Sequence, residues 1–242
     1  MESIVLKNVT HHYPTGSIAL NNISVSFPAN KITVIVGRSG SGKSTLLQVV
    51  NGLIKPDHGT VSCLGNDLDY KNINESRRKI GYVVQGIGLF PHLTVKQNIS
   101  LASAIAENGN FSVMERVDLL MKMLNLKSAF KDRFPDELSG GEQQRVGICR
   151  ALFNKPEIIL MDEPLGSLDA VTRNDIQKEV LNLQRKEGQT MLFVTHDLRE
   201  ASKLADYILV LDKGTLQQFG TKDEVLSNPT NKRVKDLIEA SL

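Results

Sequence analysis

The sequence predicts an α/β fold with a helical segment inserted between its two halves. Three observations carry this. The chain opens with short β-branched runs broken by Pro and Gly. The run Ile32–Val36 leads through a glycine-rich stretch straight into a helical pattern. Strand-free helical periodicity then fills about Thr94–Phe153, before strand-like runs return after Pro156.

Taken in order, Ile4–Val9, Ile23–Phe27 and Ile32–Val36 read as strands, the first of them in an antiparallel N-terminal β subdomain, and Lys43–Val50 reads as a helix. In the inserted segment, Val113, Val117, Leu120, Met121 and Leu124 recur at helical spacing, and Ser139–Phe153 also suits a helix. Glu157–Met161 is a buried strand, Asn174–Lys186 an amphipathic helix and Met191–Val194 a further strand. Ile208–Leu211 and Thr215–Phe219 flank a turn at Lys213–Gly214, and Arg233–Ile238 closes the chain as a helix. The expected organisation is one domain over 1–242, with 1–93 and 154–242 as its core and about 94–153 as a helical subdomain.

Bulk properties exclude several classes. The 242 residues are 40% hydrophobic and 23% charged, ordinary for a globular protein. A net charge of +2 gives no argument for nucleic acid or an anionic membrane as partner. Internal repeats and low-complexity tracts are absent from the sequence. The most apolar runs are strand-length, far short of the roughly 20 residues of a membrane-spanning helix. No run near the N-terminus is long enough for a signal peptide. A cytosolic chain is expected, served by another chain if a membrane must be crossed. Cys63 and Cys149 have no metal-like spacing and read as buried free thiols.

The chemistry begins at Gly37-Arg38-Ser39-Gly40-Ser41-Gly42-Lys43-Ser44, with Thr45 following. This fits G-x-x-x-x-G-K-[ST], a P-loop. Its glycines let backbone N–H groups wrap phosphates, and the following helix presents its positive dipole end. Lys43 would reach the β- and γ-phosphates, and the Ser44 hydroxyl would ligate Mg²⁺. The alternative, a chance glycine-rich turn, lacks a reason for the strand before and the helix after. The apolar strand Ile158–Met161 ends in Asp162 and Glu163. Asp162 is the expected Mg²⁺-side carboxylate. Glu163 is the candidate base for the water that attacks the γ-phosphate. Alone this pair could be a solvated acidic turn; downstream of a phosphate loop it points to nucleotide hydrolysis.

Leu138-Ser139-Gly140-Gly141-Glu142-Gln143-Gln144-Arg145 stands between these two motifs. It resembles the signature of the ABC ATPase family, and Ser139 is also a natural helix N-cap. Several further roles follow from the resemblance. Tyr13 is similar to the residue that stacks on adenine, and Gln85 to the Q-loop glutamine, which also faces the metal. Leu168-Asp169 resembles the D-loop and His196 the switch histidine. The other histidines, His11, His12, His58 and His92, match no motif and read as surface or loop residues. The resemblance spans about Met1 to Asn228. It departs from the commonest pattern in the D-loop, which reads GSLD where GALD or SALD is more usual, at Arg38 in a variable position of the phosphate loop, and at Gly86. No departure touches a residue with an assigned chemical role.

The resemblance implies a P-loop NTPase core that binds ATP and Mg²⁺ and hydrolyses ATP. It implies a homodimer closed head to tail over two ATP molecules, with Ser139, Gly140, Gly141 and Glu142 acting on the partner's nucleotide. It also implies an integral membrane permease as partner, a solute-binding protein in the full system, and attachment to the inner face of the cell membrane. Residues 77–98 are similar to importer subunits for quaternary amines such as glycine betaine, choline and carnitine. Within them Leu89 and Phe90 read either as apolar residues near a permease contact or as packing of the helical subdomain onto the core. IGLFPH, DLREASKLAD and FGTKDEVLSNP support importer kinship more generally. Many members of the quaternary-amine group carry C-terminal regulatory CBS domains. The chain stops at Leu242, so none is expected, and amino-acid or other polar-solute importers stay open. The rival readings are a lipid or lipoprotein exporter ATPase and a non-transport ABC ATPase. Translation-factor relatives usually have two tandem ATPase units, and chromosome-organising relatives have long coiled coils; the sequence has neither.

Overall fold

The computed structural model describes residues 2–86, 88–105 and 112–240. In chain order its main elements are β1 (Glu2–His12), β2 (Ile18–Pro28), β3 (Ile32–Val36), α1 (Lys43–Val50), β4 (His58–Cys63), β5 (Asn66–Asp67), α2 (Ile73–Arg78), β6 (Ile80–Val83), α3 (Val95–Ser100), α4 (Val113–Met123), α5 (Gly140–Leu152), β7 (Ile158–Asp162), α6 (Ala170–Glu187), β8 (Thr190–Thr195), α7 (Leu198–Leu204), β9 (Tyr207–Asp212), β10 (Thr215–Thr221), α8 (Lys222–Ser227) and α9 (Lys232–Glu239). They form two units: residues 1–77 with 189–242, and residues 78–188.

The first unit holds two sets of strands. An antiparallel sheet runs β2-β1-β4-β5. The second set has β3 between β8 and β9, all parallel, with β10 antiparallel on β9. Every residue of β3 and β8 is buried, as expected of parallel strands covered on both faces. Register aligns Val36 with Thr195 on one side and Val210 on the other. The segments leaving β3 and β8 therefore emerge at one end of the sheet, the carboxyl end where α/β folds place ligands.

The second unit is mostly helical, with one parallel pair, β6 on β7. Val83 pairs with Met161, so Gln85 and the acids ending β7 leave at the same end. The helical spacing read from Val113 to Leu124 is α4, whose Val117, Leu120, Met121 and the following Leu124 are fully buried. Arg116 on the same helix is 6% exposed and donates to the carbonyls of Leu152 (2.7 Å) and Phe153 (3.1 Å), capping the end of α5 with charge. α6 starts four residues earlier than its apolar periodicity indicates, because the Asp169 carboxylate caps it. It stops at Gly188, in the left-handed conformation (φ 71°). Short elements escape the sequence reading: β4, β6, α2, α7 and α8 each have seven residues or fewer. Residues 106–111 of the expected helical subdomain, and Ile87 of the IGLFPH segment, lie outside the described residues.

Both cysteines are free and buried. Burial pushes the Cys63 thiol up to about 12 and the Cys149 thiol higher still, so neither is a thiolate near neutrality.

Candidate functional site

In the first unit, Gly37–Gly42 forms a loop between β3 and α1. Gly37 has no room for a side chain: a Cβ there would lie 2.1 Å from the Leu211 carbonyl oxygen. Gly42 sits at φ 100° and starts α1 in a conformation that L side chains avoid. No acidic residue occupies the first turn of α1, so its positive end is unopposed. The Lys43 side chain folds back across the loop. Its Nζ donates to the carbonyls of Gly37 and Arg38, both at 2.9 Å, and the residue is 5% exposed. A buried ammonium beside the unopposed positive end of α1 gives this loop the charge to hold an anion.

Arg38, Ser39 and Gly40 are exposed at the loop's rim, whereas Ser41 and Thr45 are buried. Tyr13 follows the end of β1, and its hydroxyl lies 2.9 Å from Thr45 Oγ1. The base-stacking candidate and the first turn of α1 are thereby joined. His196 is exposed just after β8, in register with the residue that follows β3. Its turn is held by the Thr195 hydroxyl, which donates to Glu200 Oε2 (2.6 Å) and accepts from the Asp197 N–H (3.0 Å). A cavity of about 360 Å³ also borders Gly37–Ser41, between the loop and Arg233 and Asp236 of α9.

The second unit carries the acids. Asp162 ends β7 at 4% exposure, and Glu163 follows at φ 43°. A left-handed conformation is uncommon for a non-glycine residue and recurs where a side chain is held for function. Gln85 Nε2 lies 3.5 Å from Glu163 Oε2, so the amide and the second acid meet at one end of the strand pair. Tyr82 on β6 hydrogen-bonds Asp162. Burial, then the Asp162 charge, drives its phenol pKa upward, so the ring stays a neutral hydrogen-bond donor. Sequence reading missed Tyr82, because only the β6–β7 register brings it to the acid.

The loop after Gln85 is fixed from two sides. Asn98, fully buried, accepts from the Phe90 N–H and donates to the Phe90, Leu93 and Thr94 carbonyls at 2.9–3.2 Å. Arg150 donates to the Gly88 carbonyl (2.8 Å) and lies over the Phe90 ring. Phe90 is nonetheless 43% exposed, a large apolar group at a pinned surface position.

The signature residues open α5. Ser139 is its N-cap, and Glu142 reaches back: the Ser139 N–H and hydroxyl each donate to Glu142 Oε2 at 2.8 Å. Burial pushes the Glu142 carboxyl up. The two Ser139 bonds, with Lys127 and Arg133 nearby, outweigh that and hold it below the ordinary carboxylate range. The two glycines differ. Gly140 faces open space, whereas a Cβ on Gly141 would lie 2.3 Å from Thr172 Cγ2 on α6. Asp169 caps that helix through the Val171 and Thr172 N–H groups, both at 3.0 Å.

The reading of the four unassigned histidines as surface or loop residues holds for His12, His58 and His92, which are exposed, and needs correction at His11. His11 and His12 are in β1 and His58 in β4. The His11 side chain is only 13% exposed, packed by strand pairing that its local sequence does not reveal.

A phosphate cradle on a parallel sheet, an acid pair ending a strand and a capped signature helix define one class. The chain belongs to the ABC transporter family, whose sequence profile matches residues 20–166. It is similar to the glycine betaine/carnitine/choline transport ATP-binding protein of Bacillus subtilis (strain 168), with 44% identity over 96% of this chain and 61% of that one. It is also similar to the glycine betaine uptake system ATP-binding protein of Escherichia coli (strain K12), with 40% identity over 92% of this chain and 72% of that one. Among solved structures it resembles an ATP-binding cassette in a dimeric post-hydrolysis state bound to ADP and Pi. That match has a TM-score of 0.83 and 36% identity, over 90% of this chain and 98% of the other. The fold is thus that of a P-loop ABC cassette. The chain spans about three fifths of the length of the first curated relatives it matches. No helix among the described residues is long and apolar enough to cross a membrane.

Proposed function

We propose that this chain is the ATP-hydrolysing subunit of an importer for quaternary amines of the glycine betaine, choline and carnitine type. The observation that carries the reading is the phosphate cradle: a buried Lys43 turned into a glycine loop at the carboxyl end of β3. Lys43 and the loop N–H groups hold the β- and γ-phosphates, Thr45 lies at the same helix start, and Tyr13 supports adenine. Glu163 accepts the proton of the attacking water, with Gln85 beside it to orient that water. His196 contacts the γ-phosphate. Asp169 and the signature residues Ser139, Gly140, Gly141 and Glu142 belong to the contact with a second copy of the chain.

The proposed metal ligands fit Mg²⁺ by their chemistry. Ser44 offers a hydroxyl, Gln85 an amide carbonyl and Asp162 a carboxylate, all hard oxygen donors. Bound Mg²⁺ would neutralise charge on the β- and γ-phosphate oxygens. Tyr82 keeps Asp162 oriented for that role.

The substrate class rests on the quaternary-amine relatives and on residues 77–98. The partners are a second copy, an integral membrane permease and a solute-binding protein, and the chain sits on the inner face of the membrane through the permease. The exposed Phe90, pinned by Asn98 and Arg150, is the proposed permease contact. The test is co-expression with the permease of a quaternary-amine importer, reconstitution into vesicles, and ATP-dependent uptake of labelled glycine betaine. Uptake that needs this chain and an intact Lys43 is expected. A chain that co-purifies with the permease but drives only amino-acid or polyamine uptake would overturn the substrate class. Failure to associate with any membrane protein would overturn the transporter role.

A further inference from the structure

The end of β1 gathers groups that the nucleotide reading does not use. His11, His12 and Tyr13 follow one another, and Asp57, just before β4, faces them. Asp57 Oδ2 accepts from the His12 backbone N–H at 2.7 Å and lies 3.0 Å from His12 Nδ1. The His12 N–H and imidazole hold the Asp57 carboxyl below its ordinary range, so it stays charged wherever imidazoles titrate. His11 Nδ1 lies 3.8 Å from the same carboxylate oxygen, is buried and has no hydrogen-bond partner. The His11 ring meets the Tyr13 ring edge to face, with centroids 5.3 Å apart and planes at 78°.

Tyr13 is tethered at three further points. Its N–H donates to the Ser17 carbonyl, its carbonyl accepts from the Gly16 N–H, and its hydroxyl lies 2.9 Å from Thr45 Oγ1. The residue is still 38% exposed, which leaves ring surface for a base. The ionisable groups around His11 are Asp57 and His58 from the loop and strand on one side, and His12 and Tyr13 from its own strand end. Strand β2 places apolar Leu20 opposite it.

We propose that His11 and Asp57 form a protonation-sensitive brace that positions Tyr13, so that affinity for the adenine base tightens as pH falls. This rests on the reading of Tyr13 as the adenine platform. With Nδ1 3.8 Å from Asp57 Oδ2, a neutral His11 has only an ion–dipole contact with the carboxylate, whichever ring nitrogen carries the proton. Protonation sets a full charge on the His11 ring opposite that carboxylate and beside the Tyr13 ring, whose centroid lies 5.3 Å from that of His11. Both interactions favour one placement of Tyr13, and a ligand that stacks on it no longer has to order it. Phosphate binding lies outside this effect, so the brace acts on the base alone. His11 and Asp57 are positioning residues and do not touch the reacting atoms.

The test compares MgADP with magnesium pyrophosphate, which lacks the base, on the full-length chain by calorimetry between about pH 5.5 and 8.5. The quantity read is the Kd of His11→Gln over that of the parent at each pH, which cancels titration of the ligand. The ratio for ADP is expected near one at high pH, rising roughly two- to fivefold at low pH. Asp57→Asn reproduces the trend and guards against a folding defect peculiar to His11→Gln. The ratio for pyrophosphate stays flat. A flat ADP ratio in both variants, with Tyr13→Ala weakening ADP binding, overturns the brace and leaves the adenine platform standing. A pyrophosphate ratio that rises in step with that of ADP also overturns it. ADP binding unchanged in Tyr13→Ala overturns the platform reading and the brace with it.

Discussion

Adding one methyl group to Gly141 drives it into α6. The new Cβ would lie 2.3 Å from Thr172 Cγ2, against an ordinary carbon–carbon contact of about 3.5–4.0 Å. Thr172 cannot swing away cheaply, because its N–H and side chain are both bonded to Asp169 at the helix start. Overpacking of this depth belongs at the upper end of the roughly 1–3 kcal/mol range. Replacing Gly by Ala near a helix start returns up to about 1 kcal/mol of propensity. The net cost of Gly141→Ala is then about 2 kcal/mol, or a Tm lowered by roughly 4–8 °C. Gly140→Ala meets nothing within 4 Å and should leave Tm unchanged or slightly raised. Thr172→Ser removes Cγ2 but keeps the hydroxyl, so Gly141→Ala in that background should cost far less. Differential scanning fluorimetry of the four variants without nucleotide checks the series. If Gly141→Ala melts at or above the parent, or Thr172→Ser rescues nothing, the packing argument is wrong.

Other outcomes follow from the same geometry. Arg145 Nε donates to Glu179 at 3.0 Å with both groups largely buried, and Asn125 donates to the same carboxylate at 2.8 Å. Arg145→Leu alone should therefore destabilise by about 3–5 kcal/mol in urea melts, and more than the double variant with Glu179→Leu. Hydrogen bonds from the Thr172 side chain and N–H, and from the Val171 N–H, hold the Asp169 carboxyl below its ordinary value. That stabilisation is present above the ordinary carboxylate pKa and is lost as pH falls through the depressed folded value. Asp169→Asn should accordingly lower stability at neutral pH and converge on the parent in acid; a constant offset would contradict the assignment. Phe90→Ser should leave the isolated chain's melt within a few degrees of the parent and abolish coupled uptake. A variant that unfolds alone would identify Phe90 as packing.

The motifs with local spacing were legible because their chemistry is local. Gly37 to Ser44 needs only a strand, a loop and a helix in succession, and Ser139 with Glu142 closes its capping box within one helical turn. What stayed hidden depends on register. Tyr82 reaches Asp162 only because β6 lies parallel to β7, and β6 is four residues long with a glycine inside it. Gly81 itself looks like a strand breaker. A Cβ there would lie 2.4 Å from the Ala151 carbonyl oxygen, so the residue admits α5 against the strand. His11 likewise looks like half of an exposed pair until β2 and Asp57 close around it. The different jobs of Gly140 and Gly141 follow from the place of α6, which no pattern around residue 140 records.

Glu163, held at a left-handed backbone position beside Gln85, is the proposed base for ATP hydrolysis. Its most direct test is steady-state ATP turnover of Glu163→Gln, measured together with ATP affinity on the same preparation. An amide cannot take the proton of the attacking water, so affinity should be retained while turnover falls by roughly two orders of magnitude or more. Turnover near that of the parent, with ATP bound as tightly, would contradict the account.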